Sequence, residues 1–135
     1  MGIYKSAIEL TKENPFFGIG AGSFTEIFYF NTNFWKGHSH NLLLELSISY
    51  GLPATIIFLI TTINILYLSG KKIFSNKMKI DVNYIDRAFW TALFFFLISQ
   101  LTDVQYFDGK ISLITWLLIA GLKNIILDTN YKTSS

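Results

Sequence analysis

Hydrophobic and polar positions alternate along this chain in blocks of different period. From Ile3 to Lys12, Tyr4, Ala7, Ile8 and Thr11 recur at helical spacing, with Lys5, Glu9 and Lys12 off that stripe, which predicts a short amphipathic helix. Asn14-Pro15 ends it, because the residue before a proline is pushed out of the helical region. Gly18, Gly20 and Gly22 follow at alternate positions and predict a tight irregular turn in which positive φ is needed. Ser23-Phe24-Thr25-Glu26 has the form of a capping box and predicts a brief aromatic helix through Phe30. Asn31 to Gly37 reads as a polar loop whose Phe34 and Trp35 suit a membrane interface.

Three apolar runs come next. Leu42 to Leu68 contains one charged residue, Glu45, and at about 1.5 Å per residue it exceeds a hydrocarbon core of roughly 30 Å. It is expected to form one continuous transmembrane helix through Gly51 and Pro53. Ala88 to Leu101 is shorter and spans only if it recruits Tyr84 and Ile85 or the bilayer thins. Ile111 to Leu127 forms the third, with Lys123 free to snorkel. Between them, Lys71, Lys72, Lys77, Lys79 and Arg87 stand against Asp81 and Asp86, so the positive-inside rule puts this loop in the cytoplasm. Gly18, His38, His40, Asp103 and Asp108 then fall on the extracytoplasmic side. The expected fold is an all-α integral membrane protein: a short-helix extracytoplasmic segment (1–41), about three transmembrane helices (42–127) and a polar cytoplasmic tail (128–135).

Composition agrees with that pattern. Of 135 residues, 51% are hydrophobic and 17% aromatic, too apolar for a soluble domain of this size. The net charge of +2 is unremarkable, and no nucleic-acid partner is expected. The absence of cysteine removes disulfide and thiolate chemistry. Met1 to Lys12 lacks the apolar core of a signal peptide, so insertion is expected to rely on the internal spans.

His38-Ser39-His40-Asn41 places ionisable groups at the edge of the first apolar run. Histidine titrates near pH 6.5 when unperturbed, which suits His40 to a general base; the plain alternative is an interfacial histidine bonded to water or a headgroup. In a continuous helix His40 shares a face with Gly51, and Ser47, Gly51 and Thr55 form a small-residue strip against which a second helix could pack. Glu45 could orient His40, although its spacing is imperfect, and Asp103 and Asp108 read as loop carboxylates. His38 and His40 could be two metal ligands, but no local His or Glu spacing completes a set, so no metal is expected. Gly18, Gly20 and Gly22 do not make a dinucleotide fingerprint, since Ser23 stands at the third glycine position. They read either as a plain turn or, with the helix start at Ser23, as a nest of N–H groups for an anion such as a diphosphate.

Two stretches together resemble the O-antigen ligase and polymerase superfamily of bacterial envelope proteins. Asn14-Pro15-Phe16-Phe17-Gly18-Ile19-Gly20-Ala21-Gly22-Ser23-Phe24 is similar to a segment of that family's large periplasmic loop, and His38-Ser39-His40-Asn41-Leu42 to its H-x-H-N segment. The interval from His40-Asn41 to Gly51 fits the family's spacing. The resemblance implies cofactor-free, metal-independent transfer of a glycan from an undecaprenyl-diphosphate carrier to an acceptor glycan or lipid on the periplasmic face of the inner membrane. It implies His40 as the catalytic base, with His38, Asn41, Gly18, Gly20, Gly22 and Ser23 binding substrate. The family arginine that would face the diphosphate has no outer-side match here: Arg87 falls on the cytoplasmic side, and Lys5 and Lys36 are weaker substitutes. The chain is therefore expected to be the carboxyl-terminal part of a larger polytopic fold, active only with upstream helices. Ligase and polymerase stay open, as do a non-catalytic membrane interaction protein and a transport or bicarbonate-related relative.

Overall fold

A computed structural model describes residues 2–75 and 84–128. Lys77, Lys79 and Asp81 of the basic loop, and the tail beyond Asp128, lie outside the described residues. Among the described residues all regular structure is helical: α1 (Ile3–Glu13), α2 (Ser23–Thr32), α3 (Leu42–Tyr50), α4 (Leu52–Ser75), α5 (Tyr84–Ser99) and α6 (Gly109–Leu127). Two compact units result, one from residues 2–59 and 99–106, the other from 60–75, 84–98 and 107–128.

In the first unit α1 and α2 pack on α3 around Ala7, Leu10, Phe24, Phe28 and Ile48. Phe24 and Phe28, one turn apart, stack with centroids 5.5 Å apart; burying one such ring stabilises by roughly 1.5–3 kcal/mol. The inner face of α1 is rotated from the expected stripe. Ser6, Ala7, Leu10 and Thr11 are buried, while Tyr4 and Ile8 face outward. The hydroxyls explain this tolerance, since Ser6 and Thr11 donate to carbonyls four residues back and so carry no unmet polar group inward.

The capping box at Ser23 does not form. Gly22, at φ +80°, is the N-cap, and Ser23 is already helical with its Oγ donating to Ile19 O at 2.9 Å. A hydroxyl engaged backward with the turn is aimed away from the amides of its own helix. Nor does α2 stop at Phe30: it runs to Thr32 and closes on Asn33, whose left-handed backbone (φ +57°) is a common helix terminator.

The expected continuous helix from Leu42 to Leu68 is broken at Gly51. That residue has φ +85° and ψ 166°, outside the helical region, and separates α3 from α4. Its conformation is stabilised by the turn after α1. Leu52 N donates to Pro15 O (2.7 Å), while Ile19 N and Gly20 N donate to Ile48 O (2.7 Å) and Ser49 O (3.2 Å) at the carbonyl end of α3. A Cβ on Gly51 would lie 2.2 Å from Phe16 O, and one on Gly18 would lie 2.4 Å from Ile48 O. Only glycine admits so close an approach at positive φ. Pro53 then sits in the first turn of α4, where its missing N–H costs no helical bond.

In the second unit Ile73, Leu93, Ile119, Leu122 and Ile125 form the contact between helices. Trp90 packs over Gly70 and its Nε1 donates to Leu66 O at 2.9 Å. Lys72 Nζ donates to Ile126 O (3.0 Å) and to Asp128 O, satisfying carbonyls at the end of α6. Leu52–Phe74 and Gly109–Leu127 are long and apolar enough to cross a membrane, and only 17% and 22% of their most apolar windows are buried inside the protein. The helix of a soluble core hides its apolar surface, whereas Ile57, Ile60, Ile63, Leu113, Ile114 and Leu117 are exposed here. Such surface is matched to lipid. Among the described residues the fold is all-α, that of a membrane protein with two helices of spanning length; α5, at 16 residues, is shorter than both.

Candidate functional site: a histidine pair and a carboxylate

The amino-terminal end of α3 carries the site. Asn41 is its N-cap, Oδ1 accepting from Leu43 N (3.0 Å) and Leu44 N (3.2 Å). Its Nδ2 donates to Leu101 O at 3.1 Å, and Leu42 N donates to Gln100 O at 2.9 Å. One amide side chain thereby closes a helix and ties it to the turn after α5. That turn is ordered by the fully buried Gln100, whose Oε1 accepts from Gln105 N and Tyr106 N. On the other side, buried Ser39 donates its N–H to Glu45 Oε2 at 2.8 Å and its Oγ to Asn41 O at 3.1 Å. Held at both neighbours, His40 takes φ +56°, a conformation few residues other than glycine adopt.

This backbone brings both imidazoles onto one carboxylate. His40 Nδ1 lies 3.3 Å and His38 Nε2 3.6 Å from Asp103 Oδ1, with the two rings edge to face at 4.5 Å. His40 N donates to His38 Nδ1 at 3.3 Å, which puts the proton of a neutral His38 on Nε2, toward Asp103. A carboxylate opposite His40 Nδ1 likewise favours the Nδ1–H tautomer and leaves the Nε2 lone pair free. Among the described residues nothing donates to that Nε2. Asp103 is held below the ordinary carboxylate range, chiefly by the Val104 N–H on its Oδ1 at 2.9 Å, then by the His40 hydrogen bond and the charges of His38 and His40, against opposing desolvation. The carboxylate therefore stays ionised at neutral pH. The arrangement can accept a proton at Nε2 while Asp103 stabilises the imidazolium formed.

The structure relocates several residues expected to act together. His40 precedes α3 and does not share a helical face with Gly51, because the face argument required an unbroken helix. Glu45 partners Ser39 N; the carboxylate facing His40 is Asp103. The backbone of Phe16 approaches Gly51 closely. Ser47 Oγ donates to Leu43 O (2.7 Å) and lies 3.3 Å from Thr55 Oγ1, which donates to Gly51 O. In the glycine turn the amides of Gly18, Ile19, Gly20 and Ser23 all donate to carbonyls, so these four hold the turn and α3 together. Asp108 is the N-cap of α6. Gln100 went unnoticed in the sequence, and its only signal was a polar residue at the end of an apolar run.

These features define a class: a helical membrane protein with a histidine–aspartate pair held outside its spanning helices. Residues 1–59, which include the glycine turn and His38–His40, match the family model described as O-antigen ligase, so this part of the chain is similar to that family, consistent with the O-antigen ligase and polymerase superfamily. Asp103 lies beyond the matched stretch. Comparison with curated proteins and with solved structures finds no match.

Proposed function

We propose that the chain takes part in transfer of a glycan from an undecaprenyl-diphosphate carrier to an acceptor hydroxyl on the periplasmic face of the bacterial inner membrane. The observation that carries this reading is the carboxylate of Asp103 on His40 Nδ1, which leaves Nε2 as the base. In the step, Nε2 takes the acceptor proton, the acceptor oxygen bonds to the anomeric carbon, and the carbon–oxygen bond to the diphosphate breaks. Asp103 is the positioning residue. His38 and Asn41 support the loop, and Gly18, Gly20, Gly22 and Ser23 shape its foundation while acting indirectly on substrate. A developing diphosphate charge calls for a fixed cation. Lys5 and Lys36, both exposed, are the candidates in the first unit, and a helix supplied by an upstream segment or a separate subunit would add a stronger one.

Expression in a strain lacking its own ligase and polymerase, with and without a co-expressed upstream segment, tests the reading through a gel of glycan transfer. Activity that needs the upstream segment and disappears in His40→Ala supports it; transfer that persists in His40→Ala overturns it. Impermeant labelling of single cysteines tests the topology, with tagging expected near Gly37 and Asp108 and none near Asn76; the reverse pattern overturns it.

A further inference from the structure

We propose that His38, His40 and Asp103 form a binding site for a divalent ion of the zinc type, and that the ion switches off the base at His40. The switching part rests on the proposed role of His40; the binding part does not. Zinc takes imidazole nitrogen and carboxylate oxygen at about 2.0–2.2 Å, so two ligands of a tetrahedral ion stand about 3.4 Å apart. Asp103 Oδ1 lies 3.3 Å from His40 Nδ1 and 3.6 Å from His38 Nε2, and one ligand atom from each of the three residues falls within 4.8 Å of the others. Two imidazoles and a carboxylate leave a fourth position for water. The third ligand, which the His-x-His stretch lacks locally, comes from the turn after α5.

The ligand atoms determine the consequence. His40 faces the site through Nδ1, and an ion bound there displaces the Nδ1 proton. A neutral imidazole ligated at one nitrogen carries its proton on the other, so Nε2 becomes N–H and its lone pair is lost. The ring has changed tautomer, with no net loss of a proton, and has ceased to be a base. His38 makes the same exchange, from Nε2–H to Nδ1–H, and its Nδ1 then no longer accepts the His40 N–H. That lost bond weakens the site, so binding in the micromolar range is expected and chelation should reverse it. Lowering pH should release the ion, because protons compete for both imidazoles.

The test uses the full chain, purified in detergent and stripped with a chelator, then titrated with Zn²⁺ by calorimetry and with Co²⁺ by visible absorption. One ion per chain is expected, with affinity lowered at least tenfold in both His38→Ala and Asp103→Asn and unchanged in Asp108→Asn, which alters a carboxylate outside the cluster. Asp103→Asn keeps an acceptor at the same place, and circular dichroism establishes that each variant retains its helices. Absence of saturable uptake, or uptake that survives both ligand substitutions, overturns the site. Zinc should also stop glycan transfer by the assembled system until chelator is added. Binding at the three residues without any effect on transfer overturns the switch and counts against His40 as base, while leaving the ion site standing.

Discussion

In the second unit polar side chains mostly serve their own helix. Ser69 Oγ returns to Ile65 O and Thr115 Oγ1 to Ile111 O, four residues back in each case. In the first unit main-chain amides and a cap reach across segments: Leu52 N reaches Pro15 O, Ile19 N reaches Ile48 O, and Leu42 N and Asn41 Nδ2 reach Gln100 O and Leu101 O. A regular helix satisfies its backbone and can face lipid on any side, but it leaves no backbone group to hold a loop. Interrupting helices at Gly51 and before Leu42 releases such groups, and these bring two imidazoles onto one carboxylate oxygen that lies 63 residues beyond His40 in sequence. The contrast separates helices that meet lipid from a frame that can hold chemistry.

The largest expected effect divides the units by activity. His40→Ala should lower transfer by about 10²–10⁴-fold, the range contributed by a general base, whereas Ile114→Ala on exposed α6 should leave it unchanged. Comparable losses from both would mean that the first unit has no special role. The next compares glycines. Gly51→Ala forces a Cβ against Phe16 O at positive φ, costing about 3 kcal/mol from strain and overpacking together, while Gly109→Ala meets nothing within 4 Å. Thermal loss of folded protein in detergent should therefore come much earlier for the Gly51 variant. Equal melting would show that the turn is not held as described.

Two caps sharpen the comparison further. Asn41→Ala and Asp108→Ala each remove side-chain acceptors at a helix start and should each cost about 1 kcal/mol. Only the first should also reduce transfer, since Asn41 ties α3 to the turn that presents Asp103. The smallest effect is in the acid limb of stability. The folded state holds Asp103 below the unfolded carboxylate value of about 4, so its contribution is complete above that pH and is lost as pH falls through the lowered value. Asp103→Asn should flatten the pH dependence of unfolding over that acid window and lower stability slightly and evenly through the neutral range, where the carboxylate's contribution is complete; an unchanged acid limb would show that the carboxylate is not held by its neighbours.

Local signals in the sequence were faithful where one stretch contained the whole interaction. The glycine alternation from Gly18 to Gly22 and the apolar runs carry their cause within a few residues. Gly51 was misread because Leu, Ile and Ser continue the apolar run on both sides, although a glycine two residues before Pro53 is the ending of one helix and the opening of another. Asp103 could not be paired with His40 by any periodicity, since 63 residues separate them and the pairing depends on Asn41 and Gln100 tying two turns together. Hydroxyls also misled the reading of α1, where Ser6 and Thr11 take inward places by bonding to their own helix.

The break at Gly51 also works as a ruler. A hydrocarbon core of about 30 Å takes up roughly twenty helical residues, and Leu52–Phe74 supplies 23. The bilayer therefore has little reason to extend past Leu52 toward α3, whose carbonyls need the amides of the glycine turn and could not exchange them for lipid. The nine residues of α3, about 13 Å at that rise, then separate His40 from the start of α4 along the chain. Under the proposed transfer from a membrane-anchored carrier, lengthening or shortening α3 by a turn should change which part of that substrate meets the imidazole.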